Sequence, residues 1–163
     1  MHILCDWDRN RGNLKGKIIL TNFRLAGLAK KNKILFFLLM PHLIFYRLVI
    51  EWMLGVEIPW KTSIGSGLVI YHGTGLVIND GSIIGNNCTI RHCTTIGHKQ
   101  LADFSYSKCP ILGDNVDIGS NVCIIGPILI GDNVKIGAGS VVVKDVPSNS
   151  VVVGNPAKVI KTT

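Results

Sequence analysis

From residue 58 onward an aliphatic side chain returns at every sixth position. The runs are Ile58, Ile64, Ile70; then Ile78, Ile84, Ile90, Ile96; then Leu112, Ile118, Ile124, Ile130, Ile136, Val142. Glycine follows directly in Ile64-Gly65, Ile84-Gly85, Ile96-Gly97, Leu112-Gly113, Ile118-Gly119, Ile130-Gly131 and Ile136-Gly137. A period of six fits neither the helical repeat nor the simple alternation of a strand. It suits a triangular coil in which each hexapeptide gives one short strand and points one aliphatic side chain inward. Successive coils then hydrogen-bond as parallel strands about 4.8 Å apart. Corners such as Gly85-Asn86-Asn87, Gly113-Asp114-Asn115 and Gly131-Asp132-Asn133 supply residues that accept tight turns. The period predicts a mainly β chain, a single-stranded parallel β-helix over residues 56–163.

Residues 1–55 follow a different principle. They hold +6 of the formal +7 charge, seven of the 11 aromatic residues and only four of the 18 glycines. A basic, apolar helical N-terminal segment is expected there. Overall, 47% hydrophobic and 17% charged residues exclude a disordered chain. The near-neutral repeats give no signal for nucleic acid. Five cysteines (Cys5, Cys88, Cys93, Cys109, Cys123) form no C-x-x-C pair, which fits a reduced cytoplasm better than a disulfide framework or a thiolate metal site. Asp6, Asp8, Arg9 and Arg11 stand where a secretory signal would be apolar. The most apolar run, Ile34 to Tyr46, spans 13 residues including Pro41 and His42. A spanning helix needs about 20. With Lys30, Lys31, Lys33 and Arg47 flanking it, two readings stand. Either these helices pack on their own oligomer, or residues 30–50 make peripheral contact with anionic lipid at the inner face of a membrane.

Function in a solenoid concentrates where its period lapses. Ile70 and Ile78 are eight residues apart, which expands the corner Tyr71-His72-Gly73-Thr74-Gly75. Counting rungs places Glu57 one coil below, where its carboxylate can hydrogen-bond one imidazole nitrogen of His72 and fix its tautomer. The second lapse is the loop 98–110, thirteen residues between Gly97 and Ile111, long enough to project from the coil. His98 opens it, and Phe104, Tyr106 and Lys108 ride on it. His92, two residues past Ile90, falls outside the inward phase, either lining the same cleft or lying on the surface. His2 and His42 carry no signal. Val122, Ile128 and Val151 are expected on flat sides suited to self-association.

The stretches Gly55-Val56-Glu57-Ile58, Ile64-Gly65-Ser66-Gly67-Leu68, His72-Gly73-Thr74-Gly75-Leu76-Val77-Ile78 and Ile136-Gly137-Ala138-Gly139-Ser140-Val141-Val142, with Gly154-Asn155-Pro156-Ala157, resemble the hexapeptide-repeat acyltransferases. Within them the chain is most like the serine acetyltransferase branch, and its short basic opening is similar to the exopolysaccharide (colanic-acid-type) acetyltransferases. The resemblance covers residues 55–160. It implies a left-handed parallel β-helix, a homotrimer with active clefts between subunits, and acetyl transfer from acetyl-CoA to a hydroxyl with no resident cofactor or metal.

The family places its catalytic base at the position of His72 and an acidic partner, usually Asp, at that of Glu57. In galactoside- and maltose-type acetyltransferases the histidine stands where His98 does, making His98 the rival base. The family's loop folds over the neighbouring subunit's cleft. Its coenzyme A contacts match Ser120, Ala138, Val143, Lys144 and Lys158, where small residues admit pantetheine and lysines meet phosphates. The serine acetyltransferase pattern has Asp before the catalytic histidine and Arg-His-Pro on the loop. Here these are Tyr71 and Lys108-Cys109-Pro110. Cys109 thus replaces a second active-site histidine, and no base adjoins it in the sequence. Tyr71, His92, Phe104, Tyr106 and Lys108, with Trp60, are acceptor candidates whose aromatic surfaces suit a sugar ring.

The resulting expectation is an acetyl-CoA-dependent O-acetyltransferase acting on a saccharide in surface-polysaccharide biosynthesis, with serine O-acetyltransferase of cysteine biosynthesis as the alternative. A zinc carbonic anhydrase, which needs three histidines converging across a subunit boundary, and a non-catalytic trimeric scaffold remain as other classes.

Overall fold

The computed structural model describes residues 2–162. The N-terminal part is helical. Helix α1 (Leu14–Gly27) is capped by Asn13, whose side chain accepts from the Gly16 N–H at 3.0 Å. A 3₁₀ turn (Leu28–Lys30) leads to α2 (Lys33–Leu38), capped by Asn32. Then come α3 (Met40–Phe45), with Pro41 in its first turn where a missing N–H is harmless, and a π-helical segment (Tyr46–Met53). Ile19, Leu20, Phe23 and Ala26 of α1, with Tyr46 and Ile50, are buried in the same core as the coil. The Tyr46 hydroxyl donates to the Ile58 carbonyl at 2.7 Å. No helix among the described residues is long and apolar enough to cross a membrane.

The rest is a parallel β-solenoid of about five coils. Coil one contains β1 (Val56–Glu57), β2 (Ser63–Ile64) and β3 (Val69–Tyr71); coil two contains β4 (Leu76–Ile78), β5 (Ile83–Ile84) and β6 (Thr89–Arg91). Coil three holds β7 (Thr95–Gly97), β8 (Ile111–Leu112) and β9 (Asp117–Ile118); coil four holds β10 (Cys123–Ile125), β11 (Leu129–Ile130) and β12 (Lys135–Ile136). The last coil has β13 (Val141–Val142) and β14 (Ser150–Gly154), and β15 (Ala157–Thr162) folds back antiparallel on β14. Each third strand stacks, giving three faces: β1-β4-β7-β10-β13, β2-β5-β8-β11, and β3-β6-β9-β12-β14. Every aliphatic residue of the six-residue period, from Ile58 to Val142, is buried.

The glycines and asparagines of the corners divide the work. Gly65 and Gly85 do not adopt positive φ; what they need is closeness, since a Cβ on Gly65 would come within 2.6 Å of the Gly85 carbonyl group. The left-handed conformation falls to Asn87, Asn115 and Asn133, with φ of 56°, 58° and 57°. Self-association through Val122 and Ile128 is corrected by the packing. Both are buried in the core, and Val151 is half-buried. The outward aliphatic ladder lies instead on the second face, where Ile83, Ile111 and Leu129 stack in register and are exposed.

Residues 6–10 are built into the molecule as well. Asp6, 1% exposed, accepts from Arg24 Nε at 2.8 Å and Nη2 at 3.0 Å and from the Leu68 N–H at 2.9 Å. Arg24 also donates to the carbonyls of Ile64 and Gly65 at 2.7 and 2.6 Å. Asn10 reaches the Leu68 carbonyl at 2.8 Å.

Candidate active site

The first face of the solenoid is bordered by two corners, and the residues singled out from sequence fall on both. The corner leading into this face from the third carries His72, His92, Ser120 and Ala138. The strand register stacks them, because Tyr71 pairs with Arg91, Thr89 with Asp117, and Ile118 with Ile136. His72 has φ of 66°, an uncommon left-handed conformation for a side chain of this size. Neighbouring Gly73 permits the turn, since a Cβ there would press on Ile70, Val56 and Ile19. The exposed His72 ring meets the edge of His92 at 5.5 Å between centroids and 81° between planes. His92 Nδ1 is buried and has no hydrogen-bond partner among the described residues. Beside them the Arg91 guanidinium lies 5.7 Å from the Tyr71 ring and donates to Asp117 at 2.6 Å. Lys15 of α1 donates to the Thr74 hydroxyl at 3.1 Å, so the helical part supports the expanded corner.

The opposite corner carries His98. A groove of about 400 Å³ runs there, lined by Glu57, Val77, Asn79, Thr95, His98 and Ile125. Val143 continues this column by register, since Ile124 pairs with Val142, and Lys144 follows it. The rung count places Glu57 one coil below the His72 corner; the register sets it one coil below Val77. Its expected hydrogen bond to His72 is not formed; Glu57 points outward from β1 and borders the groove shared with His98. His92 is the residue that faces His72.

Loop 98–110 is a small hairpin closed by an antiparallel bridge between Gln100 and Tyr106 and by Ser107 N–H to the Lys99 carbonyl at 2.9 Å. Ser105 donates to Asp103 and holds its carboxyl below the usual range. Phe104 and Lys108 are exposed at the surface of this lobe. The Tyr106 ring packs on His98 at 4.3 Å. The fold also supplies Cys109 with the neighbour missing from sequence. Its Sγ is 3.9 Å from His98 Nδ1 and donates to Asn79 Oδ1 at 3.1 Å. Asn79 had only the Asn-Asp-Gly turn signature to mark it. Lys144 and Lys158 are exposed and make no ion pair among the described residues.

A second trough of about 270 Å³ adjoins the groove through Glu57 and Pro59, with Tyr46, Arg47, Glu51 and Trp60 along its walls. Trp60 belongs here, tilted against Phe36 at 6.2 Å. The Glu51 side chain is 10% exposed, 3.5 Å from Arg47. Burial pushes its carboxyl upward, opposed by Arg47 and reinforced by Glu57. Sequence gave no sign of Glu51, because its role depends on the π-helical turn that tucks it inward. No three His, Cys, Asp or Glu side chains gather to hold a metal among the described residues.

No protein-family model matches the chain. An Escherichia coli K12 protein with the provisional name colanic acid biosynthesis acetyltransferase WcaB is 44% identical over 119 residues, covering 73% of this chain and 72% of its own. The crystallised serine acetyltransferase of Neisseria gonorrhoeae superposes with a TM-score of 0.79 at 31% identity, over 98% of this chain and 65% of its own. A serine acetyltransferase solved in complex with CoA gives 0.78 at 25% identity, over 97% and 68%. This chain therefore spans about two thirds of the length of the solved serine acetyltransferases.

Proposed function

The chain belongs to the hexapeptide-repeat acyltransferases, in their serine acetyltransferase branch, and from that premise we propose that it transfers acetyl from acetyl-CoA to a saccharide hydroxyl. The observation that carries this reading is the 44% identity to a protein named for colanic acid biosynthesis. The fold is the left-handed parallel β-helix of that family.

His72 is the proposed base. Its left-handed corner projects the ring from the coil, clear of the core, and His92 braces it. The acceptor hydroxyl loses its proton to His72 as its oxygen bonds to the thioester carbonyl carbon. The tetrahedral intermediate collapses, the carbon–sulfur bond breaks, and the proton passes to the departing CoA thiolate. Such a base contributes about 10²- to 10⁴-fold. Backbone N–H groups at the coil edge stabilise the oxyanion, and holding both substrates together removes the need for a protein nucleophile. Glu57 holds the position of the family's acidic partner, and in this structure it borders the His98 groove. A specific observation favours a second reading of the base, since Glu57 and His98 already share one groove.

Coenzyme A is read along Ser120 and Ala138, which stack one coil apart, with Val143, Lys144 and Lys158 toward its phosphates. Tyr71, His92, Phe104, Tyr106 and Lys108 are read as acceptor contacts. Homotrimer assembly is supported by the exposed ladder Ile83–Ile111–Leu129, and the location is the cytoplasm at its membrane side. L-serine is the competing acceptor, because structural relatives are serine acetyltransferases. Measuring CoA release with L-serine and with a panel of glycans decides between them. Turnover of a glycan and none of serine is expected; turnover of serine at a physiological concentration overturns the saccharide reading.

A further inference from the structure

Between Ile34 and Met53 the chain keeps many large apolar side chains in solvent. Ile34, Phe37 and Leu38 of α2 are 80, 68 and 71% exposed, and Ile44, Trp52 and Met53 are 55, 69 and 78% exposed. The opposite flank of the same stretch is the packed one, with Tyr46 and Ile50 buried and Leu43 and Val49 packed against the core. The spacing 34, 37, 38 gathers the α2 trio on one side of its helix. Scattered exposed apolar residues are ordinary, but a run of this size marks a contact surface.

Charge identifies what the surface meets. Lys31, Lys33 and Arg47 are exposed along the same stretch. From residue 28 to 53 the sole acidic residue is Glu51, whose side chain is tucked inward. The rim therefore carries the charge of Lys31 and Lys33, with Arg47 held 3.5 Å from Glu51. A second copy using this face would set those cations against each other, and the solenoid offers no acidic excess to receive them. Anionic headgroups are the complement, with Phe37, Leu38 and Trp52 reaching the acyl boundary. Helix α2 ends at Leu38, and α3 with the π-helical segment that continues it runs only from Met40 to Met53; pieces of this length suit lying on a bilayer and are too short to span one. We propose that residues 31–53 are a docking surface for an anionic lipid bilayer, which deepens the membrane-side location given above.

Docking also orients the site. Ile44 and Arg47 line the trough that Glu57 and Pro59 join to the His98 groove. A bilayer against Ile44 lies at one end of that path, so an acceptor held at the membrane enters from there. This orientation rests on the acetyltransferase reading, whereas docking itself does not.

The test is co-sedimentation of the full chain with vesicles of phosphatidylcholine alone or mixed with phosphatidylglycerol. Binding to the anionic vesicles alone is expected. High salt, the double variant Lys31→Glu/Lys33→Glu and the double variant Phe37→Ser/Leu38→Ser should each weaken it about tenfold or more. Brominated phosphatidylglycerol should quench tryptophan fluorescence, and Trp52→Phe should remove most of that quenching; circular dichroism checks that each variant is folded. Equal binding to both vesicle types, or none, overturns the proposal. So does a Phe37→Ser/Leu38→Ser variant that changes oligomer size while the parent ignores vesicles, which would assign the face to a second copy. No acetyl-CoA is present, so a negative result leaves the acetyltransferase reading standing, and an inactive enzyme leaves docking standing.

Discussion

His72 and His92, twenty residues apart in sequence, meet edge to face at 5.5 Å because each ends the same strand position in consecutive coils. The buried Nδ1 of His92 has no hydrogen-bond partner among the described residues, an unmet capacity that a bound acceptor or a shifted His72 imidazole would satisfy.

The base assignment is tested by acetyl transfer in His72→Ala and His98→Ala. About a 10²- to 10⁴-fold loss of kcat is expected for His72→Ala, with His98→Ala retaining most activity. The reverse order would make His98, in the Glu57 groove, the base.

His92→Ala should act mainly on the acceptor. An increase of about tenfold in acceptor KM, with acetyl-CoA KM unchanged, corresponds to one lost hydrogen bond to a buried group. Steady-state kinetics with each substrate varied in turn reads this out. A change confined to acetyl-CoA KM would remove His92 from the acceptor site.

Asp6→Ala strands the Arg24 guanidinium, whose side chain is 6% exposed. Removing one partner of a buried pair costs about 3–5 kcal/mol. A fall in Tm on the order of 10 °C follows for a chain of this size. Thermal denaturation of the variant checks it, and an unchanged Tm would show that the N-terminal residues are not integral to the fold.

Asn133 combines a φ of 57° with side-chain bonds to Asn115 at 3.1 Å and Asn149 at 2.9 Å. Asn133→Ala should lose both and destabilise by about 2 kcal/mol, whereas Asn133→Gly keeps the backbone conformation and should lose about half as much. Urea unfolding of the pair separates the two contributions.

Glu51 predicts a pH dependence. Its carboxyl is raised by burial, so the folded chain holds this proton more tightly than the unfolded chain. The resulting stabilisation is full below the ordinary value of 4.5 and fades as pH climbs through the folded value. Glu51→Gln does not titrate. Its stability relative to the parent should therefore rise from pH 4 toward neutrality and then level off, as followed by urea midpoints across pH.

Much of this molecule is legible in the repeat. A side chain placed every sixth residue must land on one of three faces, so the inward column follows from counting. The glycines mislead slightly. They look like turn residues, yet Gly65 is required by the approach of the next coil, and the left-handed turns belong to asparagine. The expected Glu57–His72 bond fails because the register sets Glu57 beneath Val77, five residues past His72.

Local spacing along the chain sets the solenoid, its expanded corner and its projecting loop. Tertiary structure decided that Cys109 lies beside His98 and that Asp6 and Arg24 close a buried pair eighteen residues apart. Those contacts join segments whose separation has no period, and only the packing of helices and loop on the coil brings them within hydrogen-bond range.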